Sequence, residues 1–185
     1  MSRRDEVLDA AIELLDEAGL DHLTTRALAA RLNVRASALY RHFPSKQALL
    51  DAMVAHLVGP AAFGGPPEGA WDDVLREVAI GTREAMLAHR DGARLIATFR
   101  DPGEAAVEAF RGLVLLLTGA GLPDEIAEAA VDTVFGYVNG FTMEEQAREA
   151  DGPGGRRIPP EGRDRGFRIG LELILDGVRS RLPPG

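Results

Sequence analysis

Apolar residues return every three or four positions from Ser2 to Ala18. Val7, Leu8, Ala11, Ile12, Leu14, Leu15 and Ala18 share one broad face, which predicts an amphipathic helix. Ser2 caps its free amides with Asp5 three residues on, in a capping-box arrangement. Asp5 and Glu6 suit the positive end of the helix dipole, and Gly19 supplies the left-handed stop. A second helix opens at Thr24–Thr25 and buries Leu28 and Leu32. Asn33 then stands where a tight turn needs positive φ, which Asn tolerates best after Gly. Val34 packs into the core. A third helix over Ala36 to Phe43 turns Leu39 and Phe43 inward and stops at Pro44. Ser45 caps a fourth, Lys46 to Val58, with Leu49, Leu50, Met53 and Leu57 in its stripe.

The periodicity breaks at Gly59 to Gly69 (GPAAFGGPPEG), a Gly/Pro linker and the clearest compositional boundary. Helical patterns then resume over Trp71 to His89, Ala93 to Arg100, Glu104 to Thr118 and Pro123 to Glu149. The stretch from Asp151 to Gly162 (DGPGGRRIPPEG) is expected to be a mobile loop, and Arg163 to Leu182 forms the last helix. No strand-like alternation and no repeat occurs, so the expected fold is all-α. It comprises an N-terminal three-helix helix-turn-helix unit and a larger helical domain.

Charge singles out one part of this pattern. The chain carries a net charge of −8, yet residues 23–50 hold Arg26, Arg31, Arg35, Arg41 and Lys46 and no carboxylate. A compact cationic unit in an acidic chain points to a polyanion, with double-stranded DNA the first candidate. The absence of cysteine excludes disulfides, thiolate metal sites and Cys nucleophiles. No apolar run is long enough for a membrane span and the N-terminus lacks a secretory leader's apolar core, so a cytoplasmic protein without a membrane partner is expected.

The third helix suits DNA chemically. Ala36, Ser37 and Ala38 are small enough for the backbone to approach the bases. Arg26 and Arg41 flank them and can reach guanine O6 and N7 as bidentate donors. Tyr40, His42 and Lys46 offer donors to phosphates, as do Thr24 and Thr25 at a helix N-terminus.

The segments LTTRALAARLNV and ALYRHFPSKQALLDAM resemble the helix-turn-helix signature of the TetR family of bacterial transcriptional repressors. Further on, AWDDVLREVAIGTREAMLAHRDGARL, YVNGFTMEEQ and FRIGLELILDGV resemble the tetracycline-repressor branch in the same order. The resemblance implies a homodimer with one reading head per subunit and a ligand-binding core. The expected division is residues 1–46 for DNA and 47–185 for ligand and dimerisation, with helix 46–58 connecting them. The resemblance also makes Arg26, Ala36, Ser37 and Ala38 base-facing, and Thr25, Tyr40, His42 and Lys46 phosphate-facing. Arg35 stands where the family often has a capping Ser or Thr. Arginine cannot cap, which frees its side chain for DNA, and Arg41 also departs from the common pattern.

For the core, the resemblance implies a pocket between the long helices. Candidate walls are Thr82, Met86, Ile96, Phe99, Leu113, Leu117, Phe135 and Asn139, with Arg100 and Glu144 matching polar pocket positions of the branch. The dimer seam is expected on the last two long helices, at Val131, Val134, Val138, Phe167, Leu171, Ile174 and Val178. The branch places a metal-contacting histidine where this chain has Ile96. Its Asn and Phe for the drug correspond to Val78 and Thr82, and its other histidine falls near Ala62. A largely apolar small-molecule effector, with no metal and no cofactor, is therefore expected. The loop after Gln146 is shorter than in the tetracycline repressor, which leaves the pocket more open.

An enzyme would need a cluster of acid-base groups, but His22, His42, His56 and His89 are scattered, and His89 suits a helix C-terminus. An architectural DNA protein would bind with strong salt dependence and no sequence preference, which the acidic remainder opposes. Activation in place of repression stays open within the regulator class.

Overall fold

A computed structural model describes residues 2–62, 68–101, 103–150 and 160–183. The described residues form nine α-helices: α1 Arg3–Ala18, α2 Thr25–Arg31, α3 Ala36–Leu39, α4 Lys46–Ala62, α5 Trp71–Leu87, α6 Gly92–Ile96, α7 Gly103–Gly119, α8 Asp124–Ala150 and α9 Pro160–Arg179. The all-α expectation holds. The Ser2–Asp5 capping box forms in both directions, Thr24 and Ser45 accept from Ala27 and Ala48 backbone N–H groups, and Asn33 has φ +52°. Regular α3 is shorter than the pattern predicts. Turn bonds from the Leu39 carbonyl to His42 and Phe43 carry the chain on, because Pro44 leaves no donor to continue the spiral.

Helix α4 corrects the expected linker. It runs through Gly59 and Pro60 to Ala62, and residues 63–67 lie outside the described chain. Its buried rows, Leu50–Val54–Val58 and Leu49–Met53, join α1, α2 and α3 in one core with Val7, Leu8, Leu15, Leu28, Leu39 and Phe43. Burial on both rows anchors the helix up to Val58, and its backbone stays helical through the Gly-Pro step, where local propensity favours a break. The loop expected at Asp151–Gly162 falls outside the described residues over 151–159, and residues 160–162 are already helical in α9.

A second core joins α5, α7, α8 and α9 around Leu75, Met86, Leu113, Leu117, Val134 and Phe167. Tyr137, Phe141 and Phe167 pack with ring centroids 5.5–5.6 Å apart. Three ion pairs run down the antiparallel α5–α9 contact: Asp72–Arg179 at 2.6 Å, Arg76–Glu172 at 2.6 Å and Arg83–Asp164 at 3.1 Å.

The Arg179, Arg168 and Arg76 guanidiniums hold the Asp72, Asp164 and Glu172 carboxyls below their ordinary range. A depressed carboxyl stabilises the fold above its unfolded-state pKa, and that contribution disappears as pH falls through the folded-state value. The melting-temperature gap between wild type and Glu172→Gln is therefore expected to be full at neutral pH and to close as pH falls below the ordinary glutamate value of 4.5. Thermal melts across pH check this, and a gap that widens in acid contradicts it.

The residues expected for the dimer seam also pack within the subunit itself. Val131, Val134, Val138, Phe167, Leu171 and Val178 are buried inside this chain, and Ile174 packs against the same core. The large apolar residues that α8 and α9 leave exposed, among the described residues, are Met143, Ile169 and Leu173.

The two cores meet at the α5–α6 corner. Asp16 of α1 accepts from the Arg90 backbone N–H at 3.0 Å and lies 2.9 Å from His89 Nδ1. His89 is thus tied to α1, where the sequence suggested a helix-end partner. The Leu20 N–H donates to Asp91 Oδ2 at 2.9 Å, and Arg94 pairs with Asp21 at 3.0 Å. Gly19 has φ +81°, and a Cβ there would sit 2.9 Å from Asp91 Oδ2, so this junction needs glycine on both counts. Gln146 of α8 grips the corner from behind. It accepts from the Ala93 N–H and donates to the Met86 and His89 carbonyls at 2.9–3.1 Å.

Candidate functional site

The helix-turn-helix unit presents the residues expected for DNA on an accessible face. Arg26, Arg35, Ser37, Tyr40, Arg41 and Lys46 are exposed, while Thr25, Ala36, Ala38 and His42 are half-buried. Arg35 precedes α3 in extended conformation and makes no capping bond, so its guanidinium is not spent on the helix. Among the described residues, Arg26, Arg35, Arg41 and Lys46 have no carboxylate partner. Tyr40 is 50 % exposed, which an aromatic ring does not adopt for core packing.

Arg31 is different. Its guanidinium bridges Glu17 at 2.6 Å and Glu13 at 2.8 Å on α1, and both partners push its pKa up further. Of the five cations in residues 23–50, Arg31 is a structural brace between α1 and α2. The other four surround α3.

A cavity of about 430 Å³ opens between α4, α5, α6, α7 and α8, a size that takes a drug-sized molecule. Six expected wall residues converge on it: Thr82, Ile96, Phe99, Leu113, Phe135 and Asn139. Four lie elsewhere. Met86 and Leu117 are buried in the second core. Arg100 is exposed, with its backbone N–H on Asp51, and Glu144 is exposed and paired with Arg148 at 2.9 Å.

Sequence reasoning missed Val54 and Val58 of α4, the Ala106–Phe110 turn of α7, and Asp132. The α4 valines were legible as an apolar row. Which core that row would face was not, because α4 serves both.

The wall is overwhelmingly apolar, and its polar members are Thr82, Asp132 and Asn139. Thr82 is 4 % exposed, and its hydroxyl is buried without a hydrogen-bond partner among the described residues. Such a group costs about 1–3 kcal/mol of stability. Asp132 and Asn139 are exposed at the rim. No histidine lines the cavity, and no cluster of three or more His or carboxylate groups able to hold a metal occurs among the described residues.

Behind Thr82 lies a buried ion pair. Arg83 donates to both Glu145 oxygens at 3.1 Å, and the two side chains are 7 % and 6 % exposed. The Arg83 guanidinium also lies 4.7 Å from the Phe167 ring centroid, a cation–π arrangement. Neither residue stood out in the sequence, since one Arg and one Glu 62 positions apart carry no local signal.

Comparison with known proteins agrees with both halves. Residues 7–53 match the model for bacterial regulatory proteins of the tetR family, and residues 63–161 match the tetracyclin repressor-like C-terminal domain. The chain is 36 % identical over 196 residues to the tetracycline repressor protein class A from transposon 1721 of Escherichia coli, covering 95 % of this chain and 89 % of the relative. Among solved structures, a TetR from Acinetobacter baumannii AYE in complex with minocycline superposes with a TM-score of 0.87 at 36 % identity, covering 99 % of this chain and 100 % of that one. BioQ with its double-stranded DNA operator superposes at 0.78 with 35 % identity, covering 97 % and 99 %. The chain belongs to the TetR family of bacterial regulatory proteins, with a tetracycline repressor-like C-terminal domain.

Proposed function

We propose that this protein is a homodimeric repressor that binds a palindromic DNA operator and is released from it by a small, largely apolar effector. The observation that carries this reading is a shared helix. The α4 residues Leu49, Leu50 and Met53 pack into the reading unit, and Val54 and Val58 of the same helix line the cavity. A second link supports it. Gln47 of α4 donates to the Thr98 carbonyl at 2.8 Å and Asp51 accepts from the Arg100 N–H at 3.0 Å. These bonds bracket Phe99, which forms part of the cavity wall.

Residues 1–46 form the reading head in this scheme, and residues 47–185 the effector and dimer domain, joined by α4. Thr25, Arg26, Arg35, Ala36, Ser37, Ala38, Tyr40, Arg41, His42 and Lys46 form the DNA surface. Two copies of α3 about 34–36 Å apart read successive major grooves. The outward faces of α8 and α9, with Met143, Ile169 and Leu173, form the partner surface. Effector and operator then act on one conformational equilibrium, with a coupling of about 1–3 kcal/mol per site. A protein that works on the cell's DNA acts in the cytoplasm.

The donor set favours a metal-free effector. A metal-bound drug is held by imidazole or carboxylate donors; the position that resembles the branch's histidine is Ile96, an alkyl group, and the wall offers a single carboxylate, Asp132 at the rim. His56 lies 4.0 Å from Asp9 and His89 contacts Asp16, both outside the cavity.

Fluorescence-anisotropy titration tests the repressor reading. Palindromic DNA from the region upstream of the gene is expected to bind at least tenfold more tightly than a scrambled duplex at the same salt concentration. Equal affinity for both would refute sequence-specific repression. A thermal-shift screen of lipophilic compounds then seeks ligands that raise the melting temperature and weaken operator binding together.

A further inference from the structure

The polar groups of the cavity define the chemistry of its ligand, on the premise that the cavity is the effector site. Its floor is formed by buried Val54, Val58 and Leu113, with Thr82 among the lining residues. That hydroxyl is buried yet bonds to nothing among the described residues. A threonine in a helix ordinarily returns its hydroxyl to the carbonyl one turn back, as Thr142 and Thr133 of α8 do at 2.7 Å. Thr82 does not, so its donor and acceptor capacity remains for whatever fills the cavity.

The rim carries a second, independent signal. Asp132 is the charged residue of the wall, and no cation pairs with it among the described residues. Asn139, two helical turns further along α8, also lines the cavity. Between floor and rim the wall is aliphatic and aromatic, with Ile96, Phe99, Phe110 and Phe135.

We infer that the effector is a lipophilic amine with a polar atom at its far end. A flat apolar body fills the space between Phe99, Phe110 and Phe135. A carbonyl or hydroxyl oxygen meets the Thr82 hydroxyl at the floor. A protonated amine lies at the Asp132 carboxylate. Thr82 sets specificity because a ligand without the inner oxygen leaves the hydroxyl unpaired. Asp132 sets charge preference and steers cations to the mouth.

Three matched probes test this with the full-length protein: 10-(dimethylaminopropyl)acridone, which has both groups at opposite ends; 10-butylacridone, which lacks the amine; and 10-(dimethylaminopropyl)acridan, which lacks the carbonyl. Dissociation constants are measured by acridone fluorescence and by calorimetry. The complete probe is expected to bind about five- to tenfold more tightly than either truncated one, a contribution ordinary for one hydrogen bond or one partly exposed ion pair. Thr82→Val removes the preference for acridone over acridan, and Asp132→Asn removes the preference for amine over butyl. Thr82→Val without ligand melts higher than wild type, since it replaces an unpaired buried hydroxyl by a methyl group of the same shape.

Equal binding of all three probes to the wild type overturns the polar recognition and leaves the apolar effector site standing. Selectivity that survives Thr82→Val and Asp132→Asn overturns the residue assignment. Absence of saturable binding by all three probes overturns both this inference and the effector-site reading on which it rests.

Discussion

Arg83→Met lowers the unfolding free energy by about 3–5 kcal/mol, because it leaves a carboxylate buried without its counter-charge. The partner left behind is Glu145, which is only 6 % exposed at its side chain and takes two hydrogen bonds from Arg83. Asp164, the other partner, is half-exposed and keeps Arg168 at 2.9 Å, so the damage falls on Glu145. The guanidinium's contact with the Phe167 ring is lost as well. In a chain of this length the loss lowers the melting temperature by roughly 6–20 °C at fixed protein concentration.

The double variant Arg83→Met/Glu145→Leu separates the pair from its burial. Apolar replacements of both partners often restore or exceed the original stability. The double variant is therefore expected to regain most of what the single one loses, by guanidinium denaturation at neutral pH. If the double variant is as unstable as the single, the unpaired-charge explanation fails and the two residues matter for packing instead. The stakes extend to function, since Arg83 directly follows Thr82 on α5 and Glu145 directly precedes Gln146, which holds the α5–α6 corner.

Arg26→Ala weakens operator binding by about 2–6 kcal/mol per dimer, roughly thirtyfold or more, if each of two half-sites loses one bidentate guanine contact. Arg26 is exposed and free of carboxylate partners among the described residues. Arg31→Ala is the control. It lies five residues further along, with the same side chain and charge, but is committed to Glu13 and Glu17. Operator affinity is expected to stay within about threefold in that variant, with at most a small loss of stability. Lys46→Ala is expected to flatten the salt dependence of binding, the mark of a lost phosphate contact. Equal losses for Arg26→Ala and Arg31→Ala would overturn the division of cations that the fold makes.

Much of this molecule is legible in its sequence wherever the deciding interactions are local. Ser2 and Asp5 cap α1 because the two groups lie three residues apart on a nascent turn. Asn33 adopts positive φ because no residue but Gly does so at less strain. The cationic surface around α3 is visible as an absence of carboxylates over residues 23–50. The same stretch could not reveal that Arg31 is neutralised, since its partners lie 14 and 18 positions earlier.

The face that α9 buries shows the limit most clearly. Phe167, Leu171, Leu175 and Val178 form one apolar row, and Ile169 and Leu173 part of another. Periodicity identifies both and cannot rank them. Phe167 goes inward because Tyr137, Phe141 and Arg83 converge on it from α8 and α5, and that choice leaves Ile169 and Leu173 outside. The Gly-Pro step in α4 is similar. Local propensity favours a break there, yet the helix that packs through Val58 continues to Ala62.

The sequence by itself determined most of the helices, their caps, the tight turn at Asn33 and the carboxylate-free cationic stretch. Each of these follows from bonds and sterics spanning only a few residues. Tertiary structure alone decided which helix faces turn inward, which arginine is a brace, and that Thr82 beside an apolar cavity has a buried hydroxyl without a partner among the described residues. These depend on residues far apart in the chain meeting at distances of a few ångströms, where burial sets the cost of every polar group.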